Sequence, residues 1–195
     1  MIRMKPLTLY DRMLAEYGPQ RWWPADSPYE VMVGAILTQN TNWRNVEKAI
    51  ANLKATGCLS PEAIMEMKKT GLETLIRPSG FYRQKAERLK LASEKWVEVT
   101  SNTPDLRNEW LSVKGIGEET ADSILLYAFD LPYFVIDAYT RRFCAHHRLC
   151  RFDDYEDYRC YFESRLPRSV PLYKEYHALI VEWGKRNKIR SPRDP

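Results

Sequence analysis

Apolar residues recur at helical spacing over 28–39, 42–55, 82–99, 118–129, 138–149 and 172–186. Nothing alternates with period two for long enough to pair as strands. Shorter stretches, 8–17, 61–68, 71–76, 104–113 and 155–165, carry the same helical pattern, and "DSP", "TQNT", "RPSG", "VKGIG" and "DLPY" separate the segments. A chain so patterned has helices to pack and no edges to join, so an all-α fold with connections of about 2–6 residues is expected. Its 195 residues are enough to bury a sizeable core without disulfide staples. Pro132 cannot continue the helix before it, and "RWWPADSPY" near the start is a second break. The expected division is a central helical bundle over 28–131, with 1–27 and 132–195 packing as a second lobe.

The formal charge of +4 favours a polyanionic partner only where the excess is clustered. The cysteines, Cys58, Cys144, Cys150 and Cys160, follow no paired spacing, and no secretory leader is seen, so reduced thiols in a cytoplasmic setting are expected. No run reaches the roughly 18 apolar residues that a membrane span requires. The basic tail "GKRNKIRSPRDP" is expected to fray.

The stretch "LSVKGIGEET" places two glycines at i and i+2 between helical patterns, at 115 and 117. Glycine admits backbone angles closed to other residues, so this turn can be very short, and its amides with the following helix N-terminus can grip a phosphate. On its own, such a turn equally suits any helical corner. Twenty residues beyond the second glycine, "FVIDAYTRRF" sets Asp137 behind an apolar run. Asp137 could be an ordinary N-cap for the helix after it or a carboxylate placed for chemistry.

Four stretches in order, "ILTQNT" (36–41), "SGFYRQKAERL" (79–89), "LSVKGIGEETADSIL" (111–125) and "VIDAYTRR" (135–142), resemble the helix-hairpin-helix DNA glycosylase superfamily that includes endonuclease III. The resemblance implies a two-lobed all-α fold with the active cleft between the lobes, and a helix-hairpin-helix over about 104–129. It implies that Asp137 is the catalytic carboxylate, that Lys114, Gly115, Ile116 and Gly117 grip DNA, and that Gln39 fills the gap left by a flipped nucleotide. Gln39 read by itself is an ordinary polar residue at a helix end. Arg83 and Lys85 belong to a basic run that is either a solvated face or a set of phosphate contacts. Members that also nick the strand carry a lysine two residues after the second glycine; this chain has Glu119 there, which points to a monofunctional enzyme using water.

"WWP", "LTQNT" followed by an aromatic, "RPSGFY" and a non-lysine after the hairpin look most like the bacterial 3-methyladenine glycosylase branch. Trp22, Trp23, Trp43, Phe81 and Tyr82 are then candidates for the base pocket, or else lobe core. An alkylated purine carries positive charge, suits ring faces and leaves without a general acid. Uracil, mismatched thymine or an oxidised purine keep the mechanism and change the base, and a non-catalytic DNA-structure binder keeps only the hairpin. The partner expected is double-stranded DNA with a damaged base, bound by a monomer without a membrane. Many endonuclease III relatives end in four cysteines holding an iron–sulfur cluster; none follows Cys160, so no cluster and no required cofactor are expected. Cys144, His146, His147 and Cys150 match no common zinc spacing, so no metal is expected there. The hairpin carbonyls, by the same resemblance, could hold a monovalent cation. His177, in "HALIVEW", reads as packing.

Overall fold

The computed structural model describes residues 5–187, so the basic tail from residue 188 on lies outside it. Eleven α-helices and a single 3-10 turn at Arg77–Ser79 occur among the described residues, and no strand does. They form two compact units. One is Ala25–Phe129, and the other joins the described residues before and after it.

The Ala25–Phe129 unit is built on α2 (Pro28–Leu37), whose Tyr29 to Leu37 are all buried. A helix that is apolar on every side has to lie within a bundle. It does so, packed by α3 (Trp43–Ala55), α6 (Tyr82–Glu98) and α8 (Glu118–Tyr127). Pro28 at the first helical position and Ser27, whose side chain accepts from the Glu30 amide, start α2. Short helices α4 (Pro61–Glu66) and α5 (Lys69–Leu75) cover α6, and α7 (Leu106–Leu111) leads into the glycine turn. Helix α8 ends at Tyr127, two residues before the periodicity does, because Asp130 turns left-handed at φ 54 after the last turn.

The other unit holds α1 (Pro6–Tyr17), α9 (Ala138–His146), α10 (Tyr155–Glu163) and α11 (Val170–Asn187). Its core is aromatic. Phe134 and Phe162 stack with centroids 4.3 Å apart, and Tyr173 and Tyr176 meet Phe134 edge-on. Tyr176 is fully buried and donates its hydroxyl to Pro6 O at 2.8 Å, tying α11 to α1. Helix α9 stops at His146, short of the apolar periodicity, because Arg148 is left-handed at φ 53. Helices α9 and α11 cross closely at Gly184, where a Cβ would lie 2.2 Å from Tyr139 Cδ1.

Candidate active site

Asp137 follows a short irregular run, Phe134 to Ile136, that is nearly sealed from solvent. A buried segment outside helix and sheet must find other acceptors for its amides. Here α10 supplies them: Phe134 N donates to Glu163 Oε1 at 2.9 Å and Ile136 N to Tyr155 Oη at 3.2 Å. The chain then turns into α9 with Asp137 as its N-cap. Oδ1 accepts from Thr140 N at 2.7 Å and from Thr140 Oγ1 at 2.9 Å. The capping role is therefore real, and it occupies one carboxylate oxygen.

The other oxygen faces a residue forty positions away. His177, on α11 and 3% exposed, has Nε2 3.4 Å from Asp137 Oδ2. That is ion-pair range, and it is long for a hydrogen bond. Burial by itself would raise the Asp137 carboxyl, but His177 and the two Thr140 donors outweigh it and hold the group below its ordinary value. Asp137 is thus a carboxylate kept ionised with only 15% of its side chain exposed. The Trp22 ring lies 5.5 Å from His177, tilted by 34°, and stacks on Trp23 at 5.2 Å. Both indoles are half-buried. Asp137, His177, Trp22 and Trp23 are thus brought together in one unit.

Trp43, Phe81 and Tyr82 belong to the Ala25–Phe129 unit. Trp43 is half-buried at the start of α3. Tyr82 has the guanidinium carbons of Arg77 and Arg83 at 5.8 and 5.9 Å from its ring centroid. Phe81 is 62% exposed, because the chain turns at positive φ at Gly80 and again at Phe81 (φ 45) before α6 begins, so its ring does not belong to the core of this unit.

The glycine turn has its own network. Gly115 adopts φ +86, and the Arg88 stem lies so close that a Cβ there would come 2.2 Å from Arg88 Nε. Arg88 donates to Gln39 Oε1, and Gln39 Nε2 donates to Gly115 O at 3.2 Å and Thr120 Oγ1 at 3.0 Å. Gln39 thus rests on the turn. Lys114 is 79% exposed with Nζ 2.8 Å from Glu87 Oε1, a surface pair that an incoming phosphate could exchange at little cost. Ile116 corrects its expected role as a DNA contact: its side chain is 5% exposed and its amide donates inward to Val113 O at 3.0 Å, so it anchors the turn.

Of the acids beyond the turn, Asp122 is fully buried and paired with Arg107 through two contacts, Nε to Oδ1 at 2.6 Å and Nη2 to Oδ2 at 3.2 Å. Its charge is spent inside. Glu118 and Glu119 remain in the first turn of α8, where the helix dipole favours them.

Lys85 is also a correction. Its side chain is buried, and Nζ donates to Leu37 O at 2.9 Å and Ser79 O at 2.6 Å, capping the end of α2. Burial, with the Arg88 charge adding to it, lowers its pKa to about 8. An ammonium so enclosed is not a phosphate contact. Lys85→Met should lower stability by about 2 kcal/mol, since two buried carbonyls lose their donor. The salt dependence of DNA binding should not change, and a shallower salt slope measured by titration would restore the phosphate role. Arg83, in contrast, is exposed.

The signal for His177 was present in the sequence as a titratable group on an otherwise apolar helix face, but its partner was not. Among the described residues, no group of three or more His, Cys, Asp or Glu is placed to hold a metal ion. Cys144 and Cys150 are buried and form no disulfide, and His147, pressed by burial and by the neighbouring His146, has its pKa lowered to about 4. No helix among the described residues is long and apolar enough to cross a membrane.

The chain belongs to the HhH-GPD superfamily of base excision DNA repair proteins, whose family model matches residues 33–168. A Methanocaldococcus jannaschii protein named "Putative DNA repair glycosylase" is 48% identical over 91% of this chain and 86% of its own length. Endonuclease III of Thermotoga maritima is 30% identical over 86% of this chain and 77% of its own. Among solved structures, the H. pylori 3-methyladenine DNA glycosylase bound to 1,N6-ethenoadenine superimposes with a TM-score of 0.82 at 28% identity, over 96% of this chain and 100% of that one. A trapped endonuclease III–DNA covalent intermediate reaches the same TM-score at 20% identity, over 97% of this chain and 91% of that one, which is a likeness of fold.

Proposed function

We propose that this protein is a monofunctional DNA glycosylase that hydrolyses the N-glycosidic bond of an alkylated purine turned out of duplex DNA. The observation that carries the reading is Asp137, ionised although largely buried, with Oδ1 committed to Thr140 and Oδ2 able to accept another proton donor. As the bond from the sugar carbon to the base nitrogen breaks, its electron pair leaves with the base and positive charge builds on the sugar. A carboxylate in a water-poor setting stabilises that charge far better than one in bulk water. Water then adds to the sugar carbon and gives its proton to the carboxylate.

An alkylated purine is already cationic and departs neutral, so the reaction needs no general acid. The half-buried Trp22 and Trp23 offer electron-rich ring faces that attract such a cation. The 28% identity to a structure named as a 3-methyladenine glycosylase supports the same class of base. The amides of Gly115 and Gly117, with Lys114 and Arg83, would grip phosphates. The carbonyls of the turn are hard oxygen donors, and those of Val113 and Gly115 each keep a lone pair after the bonds described. They suit a monovalent cation, which would add positive charge where a phosphate approaches.

Monofunctionality rests on Glu119, exposed on the first turn of α8. A carboxylate cannot form a Schiff base with the sugar. Incubation with alkylated DNA and borohydride is expected to release free base and to trap no protein–DNA adduct, and a strong adduct would overturn the assignment. Release of uracil, thymine or an oxidised purine in place of the alkylated base would reassign the substrate.

A further inference from the structure

We infer that His177 is the positioning residue of Asp137: its imidazole, wedged between the Trp22 ring and the carboxylate, aims Oδ2 for the reaction. The inference rests on the proposed function, because it assigns a partner to the carboxylate that carries it.

Three observations on the molecule lead there. The two oxygens of Asp137 are treated unequally. Oδ1 is filled by both Thr140 donors, while Oδ2 has His177 Nε2 at 3.4 Å. The two Thr140 bonds fix where Oδ1 lies but allow the carboxylate to rock about it, so the direction of Oδ2 depends on what stands beside it. Next, the imidazole has little room to move. It is 3% exposed, rooted in the middle of α11, with an indole 5.5 Å from its ring centre. Last, α9 and α11 are held at close range by Gly184 against Tyr139, so the elements carrying the two groups cannot drift apart freely.

With a proton on Nε2, His177 directs an N–H at Oδ2 across the 3.4 Å separation and so fixes the direction in which that oxygen faces. The resting distance is long, as such contacts commonly are before substrate closes around them. Because the same ring touches Trp22, the carboxylate and the proposed base-binding wall are aligned through one side chain.

The test is excision of alkylated bases under single-turnover conditions by three variants, alongside Asp137→Asn and with affinity measured on a duplex holding a tetrahydrofuran abasic analogue. Gln carries a donor close to the Nε2 position; Asn is polar but too short; Phe keeps the volume and has no donor. His177→Gln is expected to stay within about 5-fold of the parent, and His177→Phe and His177→Asn to lose about 50-fold or more, all with affinity within about 2-fold. A role in packing alone predicts the reverse order, with Phe the best tolerated, and that result would overturn the inference. So would equal activity of the Gln and Asn variants, a comparison that stands even where the Phe variant does not fold. If Asp137→Asn excises as well as the parent, the proposed function fails. If Asp137→Asn is inactive and His177→Phe is fully active, only the role of His177 fails.

Discussion

Asp137→Asn is expected to cut base release by about a thousandfold while leaving the fold and duplex affinity nearly unchanged. The substitution separates the two roles that the geometry gives this residue. Asparagine is as good an N-cap as aspartate, and its carbonyl oxygen can accept from Thr140 N and Oγ1 as Oδ1 does. What it loses is the negative charge. If capping were the whole role, turnover would survive the change; unchanged single-turnover excision would show that. Acid adds a second reading. The folded carboxyl lies below its ordinary value, so its contribution to stability is present above the unfolded pKa and is lost as pH falls through the folded one. Any stability deficit of Asp137→Asn at neutral pH should therefore shrink as the solution is acidified through that window, as thermal unfolding at several pH values would record.

Gly184→Leu should destabilise the protein by about 3 kcal/mol or more, lowering the unfolding temperature by roughly 6–12 °C. The cause is steric. The Cβ position lies 2.2 Å from Tyr139 Cδ1 and 2.9 Å from Cε1, so the ring must leave or the helices must separate. Tyr139 also has the Arg142 guanidinium carbon 4.6 Å from its ring centroid, so its displacement disturbs a second contact. Adding Tyr139→Ala to Gly184→Leu should recover part of the loss by vacating the space. An unfolding temperature equal to the parent's would mean that the crossing is looser than described.

Most of the fold could be read in the sequence because helix patterning is local. All eleven helices coincide with apolar periodicity, and Ser27, Asn42 and Ser60 accept from the amides that begin their helices. The errors at helix ends came from left-handed residues such as Asp130 and Arg148, which carry no glycine to announce the turn. The glycine turn and Asp137 were legible for the same local reason. His177 was not, since nothing near it in the chain mentions a residue forty positions away. The burial of Lys85 was hidden: a lysine among basic neighbours reads as exposed until the carbonyls of Leu37 and Ser79 are seen to need it. Asp122 looked like an obstacle to DNA because its neutralising partner, Arg107, stands on the preceding helix.

The tethering of residues 134–136 by side chains of α10 makes the aspartate's reach hostage to a helix without chemistry of its own. A strand ladder would spread that burden over many interchangeable backbone bonds. Here two particular side chains, Glu163 and Tyr155, bear it, so seemingly innocuous variation at either one would be transmitted to an oxygen it never meets.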